Sequence, residues 1–346
     1  MLVVLIMAGG KGTRLYPVSR ESHPKQLMRI VSDQTMIEET YARVQGLAPP
    51  ERVYIGTTAD LLEPIRAQLP EVPSSNYIVE PVGRDTGPAI AYAALTIRRW
   101  HPDAVMVVLS ADHVIRPTPD FQRVVRAAAA AARETHGLIT MGVRPSRPET
   151  GYGYIKPGAS QGAVHAVERF TEKPDRETAA RFVAEGYLWN SGMFVWEVSA
   201  ICEALRRYLP DIYDGVQQIT AGERPAAEVF EGLRRVSIDF GVMEKAQNAY
   251  VVEADFLWDD LGSWTALERV LSPDGARNVV RGDFVPIDAA GCVVHSDGGI
   301  VAAIGVEDLV IVKSGDVVLV CRKEREQEIK GLVNLLKADT ERKQYL

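Results

Sequence analysis

Over the first 145 residues, short apolar runs alternate with stretches whose apolar residues recur every three to four positions. Leu2–Met7 contains no polar residue, and similar β-rich runs cover 52–56, 76–80, 104–110 and 137–143. The helical spacing falls between them, over 36–45, 61–68, 88–100 and 121–134. Strands that are apolar on both faces and separated by helices predict an α/β fold with a mixed, mostly parallel sheet carrying helices on both faces. Residues 144–200 mix strands and turns, with Gly151-Tyr-Gly-Tyr and Glu172-Lys-Pro as punctuation, and helices return over 198–245. The pattern changes at Ser272-Pro-Asp-Gly-Ala-Arg. Beyond 278 the runs at 292–295, 299–304, 309–312 and 317–321 predict a small β-rich part, a short β-solenoid or a small sandwich, closed by a helix over 324–337. Two domains are therefore expected, 1–272 and 273–346, the second serving packing or dimerisation.

Composition narrows the function. The 346 residues carry 39 Lys and Arg against 46 Asp and Glu, a net charge of −7, which argues against nucleic acid as a partner. Cys202, Cys292 and Cys321 are far apart and form no CxxC, so a disulfide scaffold or thiolate zinc site is not expected. No apolar run approaches the ~18–20 residues that a membrane helix needs. The apolar start lacks a charged leader and is broken at Gly9-Gly10, so it reads as a first buried strand of a cytoplasmic protein.

Against that acidic background one segment is locally positive. Ala8-Gly9-Gly10-Lys11-Gly12-Thr13-Arg14 succeeds the first strand, where ligands of open α/β sheets bind. Closely spaced glycines let backbone N–H groups approach an anion. Lys11, Arg14, Arg20 and Lys25 stand against Glu21 alone between Leu5 and Met28. The segment lacks the third glycine of GxGxxG and is not GxxxxGK[ST], so it is neither familiar dinucleotide nor P-loop fingerprint.

Taken together with the residues up to Gln26, the segment is similar to a different signature. Ala8–Pro17 with Pro24-Lys25-Gln26 resembles the sugar-phosphate nucleotidyltransferases, and within them the bacterial mannose-1-phosphate guanylyltransferases. The resemblance spans essentially the whole chain through Glu80-Pro-Val-Gly-Arg-Asp-Thr-Gly-Pro-Ala, Ser110-Ala-Asp-His, Phe170-Thr-Glu-Lys-Pro, Asn190-Ser-Gly-Met-Phe-Val-Trp and Trp258-Asp-Asp-Leu-Gly-Ser-Trp. The chain departs from the family's commoner residues at Tyr16, Val18, Asp85 and Gly87, the last two in the segment expected to meet the base. Bifunctional members append a phosphomannose isomerase domain, which this chain is expected to lack.

The resemblance implies a Rossmann-like fold of nucleotidyltransferase type, and a role for each matching residue. Ala8, Gly9, Gly10, Lys11, Gly12 and Thr13 would bind the nucleotide's phosphates, with Arg14 on the departing diphosphate and Lys25 neutralising the reacting phosphates. Arg20 is equally readable as a surface residue. Asp112 and Asp260 would hold Mg²⁺ or another divalent cation, which prefers oxygen ligands. Asp259 competes with Asp260 for that place. Glu80, Arg84, Asp85 and Thr86 would meet the base, although Asp85 reads equally well as a helix cap. A carboxylate at Glu80 suits guanine, whose Watson–Crick edge offers N1–H and N2–H₂ together. Gly153, Glu172, Lys173 and Asn190 would form the sugar-phosphate pocket.

The implied reaction joins GTP and mannose 1-phosphate into GDP-mannose and diphosphate, in a homodimer. Another hexose 1-phosphate and nucleotide pair is the alternative of the same class. A non-catalytic relative that senses sugar nucleotides is the alternative of another class.

Overall fold

The apolar run at the N-terminus forms β1 (Leu2–Met7), and its alternate residues Val3, Leu5 and Val4, Ile6 are all buried, so both faces of the strand are covered. The computed structural model describes residues 1–10, 13–20 and 23–346, with Thr13 through its backbone; Lys11 and Gly12, expected in the phosphate loop, lie outside the described residues. In chain order the further strands are β2 (Val53–Thr58), β3 (Tyr77–Glu80), β4 (Val105–Ser110), β5 (Val114–Arg116), β6 (Leu138–Val143), β7 (Gly153–Gln161), β8 (Val164–Glu172), β9 (Leu188–Glu197), β10 (Ala249–Ala254) and β11 (Leu257–Asp259). The helices among them are α1 (Met36–Val44), α2 (Leu62–Gln68), α3 (Thr86–Trp100), α4 (Thr118–Thr135), α5 (Arg176–Ala184), α6 (Val198–Tyr208), α7 (Pro210–Thr220) and α8 (Ala226–Gly232). Two helices start ahead of their apolar pattern. Asp85 caps α3 through its side chain, and Thr118-Pro119 opens α4 with a proline that needs no N–H there.

Two compact units form, and neither is continuous in sequence. The first gathers Met1–Gly9, Tyr41–Ser110 and Ile115–Trp258; the second gathers Gly10–Thr40, Ala111–Val114 and Asp259–Leu346. The first unit holds a nine-stranded sheet in the order β3-β2-β1-β4-β9-β6-β10-β8-β7. β1, β2, β3 and β4 run parallel, while β9 enters antiparallel between β4 and β6, so the sheet is mixed. Ile90, Ala94, Ile201, Leu205, Ile212 and Val216 of α3, α6 and α7 pack on Val3, Leu5, Met106 and Val108 of the sheet. α4 lies against β4, β6, β9 and β10.

In the second unit a four-stranded sheet runs β12 (Val279–Ile287), β13 (Val293–Ile304), β14 (Leu309–Ser314) and β15 (Val317–Arg322), parallel in its first two pairings and antiparallel in the last. The sequence pattern misses β12, because Arg281, Gly282 and Asp283 interrupt its apolar run. It also splits β13 into two. The Ser296-Asp-Gly-Gly stretch is a kink within one strand, in which the Ser296 hydroxyl donates to the Gly298 carbonyl at 2.9 Å. Two short helices complete the unit, α9 (Leu267–Val270) and α10 (Ile329–Ala338), the latter preceded by a 3₁₀ turn over Lys323–Glu328. One core joins Leu15, Tyr16 and Val18 of the glycine-rich segment to Trp264, Val293, Val310, Val312 and Leu319. The phosphate segment thus packs on residues more than two hundred positions further along the chain, because its own short turns cannot bury these side chains alone.

Candidate functional site

A charged cluster lies in the second unit. Lys25 opens a 3₁₀ turn, Lys25–Leu27, and its side chain is only 6% exposed. An ammonium that deep needs partners. Its Nζ donates to Asp112 Oδ2 at 3.0 Å and to the Asp260 carbonyl, so one lysine spans both predicted metal-binding aspartates. The neighbouring aspartates divide their work. Asp259 is buried, takes a two-pronged contact from Arg269 (2.5 and 3.0 Å) and accepts the Leu261 N–H at 2.9 Å. Asp260 instead accepts the Gly262 N–H at 3.1 Å. A Cβ on Gly262 would stand 3.1 Å from both Arg14 Nη1 and Asp260 Oδ2, which puts Arg14 and Asp260 on either side of that glycine.

Asp112 and Asp260 fit a divalent cation by the chemistry of their donors. Asp112 meets the buried lysine with a carboxylate oxygen and Asp260 with its backbone carbonyl, each residue carries a carboxylate, and Mg²⁺ takes one or two carboxylates with the remaining positions left to phosphate and water. Among the described residues no group of three or more His, Cys, Asp or Glu converges as a ready-made cage. A cation there would depend on substrate oxygens.

A separate group of candidate residues lies in the first unit, at the C-terminal ends of β1, β2 and β3. Thr58 and Glu80 are paired across β2 and β3, and a Cβ on Gly9 would stand 3.8 Å from Thr58 and 3.9 Å from Glu80 Oε1. Glu80 is buried, and desolvation pushes its carboxyl up to about 7. Ala8 extends the sheet, donating its N–H to the Gly56 carbonyl at 2.7 Å. That N–H is therefore not aimed at a ligand. Gly10, in the second unit, accepts from Gln26 Nε2 at 3.0 Å, which holds that end of the segment near Lys25.

The three residues after Gly83 are taken up in local structure. The Arg84 guanidinium donates to the Phe230 and Glu231 carbonyls at 2.8 and 2.6 Å, at the end of α8. Asp85, at φ 75°, caps the Thr86 N–H at 2.7 Å, and the Thr86 hydroxyl accepts the Ile238 N–H at 2.8 Å. Gly87 donates to the Val236 carbonyl, and a Cβ there would come 2.6 Å from that oxygen. The glycine at this departure from the family pattern is explained by how closely α3 approaches Val236.

The predicted sugar residues form one row. Gly153 on β7 is paired with Glu172 on β8 and with Asn190 on β9, so the three stand abreast across adjacent strands. A Cβ on Gly153 would come 2.3 Å from Glu172 Oε2 and 3.3 Å from Asn190 Cβ. Among the described residues that buried Oε2 has no hydrogen-bond partner, and burial raises the Glu172 carboxyl above its ordinary range while Lys173 pulls it back. Lys173 adopts φ 47°, is 65% exposed, and stands 3.4 Å from Glu172.

Sequence reasoning missed Asp239. It lies in one turn of π-helix over Asp239–Met243 and accepts from Asn190 Nδ2 at 2.8 Å. The Thr140 hydroxyl donates to Asn190 Oδ1 at 3.1 Å, so the amide is held from both ends. Desolvation, joined by the negative Glu172, pushes the Asp239 carboxyl up to about 6. The signal was an acid isolated in an otherwise apolar stretch, Ile238-Asp-Phe-Gly-Val.

The fold is that of a nucleotidyl transferase, and the family model described by that name matches residues 3–275; a second, described as a MannoseP isomerase/GMP-like beta-helix domain, matches 282–336. A mannose-1-phosphate guanylyltransferase of Escherichia coli is 43% identical over 97% of this chain and 74% of its own length. Another, from Klebsiella pneumoniae, is 42% identical over the whole of this chain and 76% of its own. A solved structure described as a mannose-1-phosphate geranyltransferase from Thermus thermophilus superposes with a TM-score of 0.92 at 38% identity, over 97% of this chain and 99% of that one. The chain belongs to the mannose-1-phosphate guanylyltransferase family of nucleotidyl transferases.

Proposed function

We propose that the chain transfers GMP from GTP to α-D-mannose 1-phosphate, releasing diphosphate and GDP-mannose. One observation carries this reading most directly: a buried lysine bridging two aspartates beside an arginine, an arrangement suited to polyphosphate. The nucleophile is a phosphate oxygen already ionised near neutral pH, so it needs no general base. It attacks the α-phosphorus in line with the leaving diphosphate. Lys25 supplies positive charge to the reacting phosphates and Arg14 to the departing ones, and holding the reactants in line supplies much of the rest. Mg²⁺ or another divalent cation held by Asp112 and Asp260 would neutralise phosphate charge.

Glu80, kept dry beside Gly9, would accept from guanine N1–H and N2–H₂. Glu172 would accept from sugar hydroxyls, with Asn190 donating the amide hydrogen that Asp239 leaves over. Lys173 would face the sugar phosphate. Arg84, Asp85 and Thr86 would shape the base segment through the backbone contacts described above, and Gly9, Gly10, Lys11, Gly12 and Thr13 would contribute the loop at the phosphates. In the same reading residues 1–272 are catalytic, 273–346 form the small C-terminal part, and the protein is a cytoplasmic homodimer. No helix among the described residues is long and apolar enough to cross a membrane.

Diphosphate release by the purified protein with Mg²⁺, across four nucleotides and several hexose 1-phosphates, tests the reading. Release confined to GTP with mannose 1-phosphate is expected. Release with another pair would replace the Glu80 and sugar assignments while keeping the chemistry. A folded protein that releases diphosphate with no pair would instead be a sugar-nucleotide sensor.

A further inference from the structure

Arg20 is the one cation of the positive segment to which neither the mechanism nor the metal site gives work. Its side chain is 19% exposed, and every partner shown for it lies inside the second unit. Nε donates to the Pro17 carbonyl at 3.0 Å, and Nη2 donates to the Ser314 carbonyl at 3.1 Å and stands 3.4 Å from Asp316 Oδ1. Ser314 and Asp316 flank Gly315 in the turn between β14 and β15. That turn is itself braced: Asp297, in the kink of β13, accepts from the Ser314 hydroxyl at 2.6 Å and from the Gly315 N–H at 3.1 Å.

On its other side Arg20 is tied to Lys25. The backbones of Arg20 and His23 exchange two hydrogen bonds, at 3.0 and 3.1 Å. Pro24 comes next, its carbonyl accepting the Leu27 N–H at 3.0 Å, and this bond defines the turn that holds Lys25. A series of contacts thus runs from Asp297 through the β14–β15 turn and Arg20 to His23, two residues before the lysine that bridges Asp112 and Asp260. A planar guanidinium suits this place because it can aim separate N–H groups at two carbonyls in fixed directions. An ammonium cannot reproduce that fork. Removing it leaves two carbonyls short of a charged donor and loosens the anchor of the backbone ahead of Lys25.

We propose that Arg20 is a positioning residue for nucleotidyl transfer, and that the Asp297-braced β14–β15 turn is the anchor from which it sets the place of Lys25. The proposal rests on Lys25 serving the reacting phosphates. It gives the C-terminal sheet a part in the chemistry, beyond packing or dimerisation.

The test is steady-state diphosphate release by the full chain with GTP, mannose 1-phosphate and Mg²⁺, read beside thermal melting. Misplacement of a catalytic group by about 1 Å can cost up to roughly a hundredfold, so Arg20→Ala and Asp297→Ala should each lower kcat by about ten- to a hundredfold. KM for either substrate should stay within about threefold, as expected when ground-state contacts are spared. The double variant should be no worse than the poorer single one, since both break the same series of contacts. Arg20→Lys should recover little. Ile304→Ser, at an exposed position of the same sheet, should behave as the parent protein.

Should Arg20→Ala fail to fold, Arg20→Gln and Asp297→Asn carry the same comparison. Parental kcat in a folded Arg20 variant overturns the proposal. A loss with Arg20→Ala but none with Asp297→Ala overturns the anchor. Lys25→Ala separates the two readings: if it retains parental turnover, the role of Lys25 falls first and this inference with it. If Lys25→Ala is inactive while Arg20→Ala is not, only the present inference falls.

Discussion

Replacing Gly153 by alanine tests the proposed sugar row at the tightest point of its geometry. The backbone there tolerates any residue, since φ is not positive, so the substitution acts through space alone. The new Cβ would lie 2.3 Å from Glu172 Oε2, against the 3.0 Å or more that real Cβ contacts keep. The carboxylate must therefore withdraw by at least ~0.7 Å, and it cannot do so freely. Asn190 Cβ and the Phe170 ring both stand 3.3 Å from the same point. Overpacking of this kind costs about 1–3 kcal/mol, which would lower the melting temperature by a few degrees. Displacement of an acceptor that the sugar hydroxyls use should cost more in function, about ten- to a hundredfold in kcat/KM for mannose 1-phosphate. KM for GTP should hardly change, because Glu80 is not touched. Diphosphate release titrated separately in each substrate reads both numbers. A folded Gly153→Ala protein with parental KM and kcat toward the sugar phosphate would refute the placement of Glu172 in the sugar pocket.

Three further outcomes are expected from the structure. Burial holds Glu80 up at about 7, so KM for GTP should rise as pH falls from 8 to 6, and Glu80→Gln should raise it at every pH and flatten the profile. Stability should move the other way: a carboxyl raised from 4.5 to about 7 on folding contributes fully at low pH and loses about 3 kcal/mol as pH rises through 7, so Glu80→Gln should melt higher at pH 8, which calorimetry reads. Asp259 and Asp260 should separate cleanly. Asp259→Ala removes the two-pronged carboxylate partner of Arg269 and should lower the melting temperature with little change in the Mg²⁺ requirement, whereas Asp260→Ala should raise that requirement at least tenfold with a smaller loss of stability, as Mg²⁺ titrations of diphosphate release will show.

Much of this was legible in the chain. Leu2–Met7 and Tyr77–Glu80 declare themselves as strands because short β-rich runs have few alternatives, and Lys25 and Asp112 are singled out by motifs that the fold brings within 3.0 Å of each other. Asp259 and Asp260 could not be told apart by residue type, since adjacent identical residues differ only in what folds against them, and Asp259 is taken up by Arg269 from ten positions away. Arg84 illustrates the same limit from the other side. Its motif suggests a ligand contact, but the carbonyls at the end of α8 stand within its reach. Asp239 offered only the faint signal of an isolated acid, because its partner, Asn190, stands 49 positions earlier and no local spacing pairs the two.

The second unit also imposes an order in time. The glycine-rich segment is made more than two hundred residues ahead of Trp264, Val310 and Leu319, against which Leu15 and Tyr16 pack. During synthesis it spends that interval with its apolar side chains uncovered, and contacts so distant in sequence close slowly. The first sheet has all its strands by Ala254 and can assemble ahead of it. A chain released short of β14 and β15 would keep that sheet but leave the lysine that bridges the two aspartates without its platform. Fragments ending before β14 would then be structured yet inert, and activity would begin only once β15 has been made.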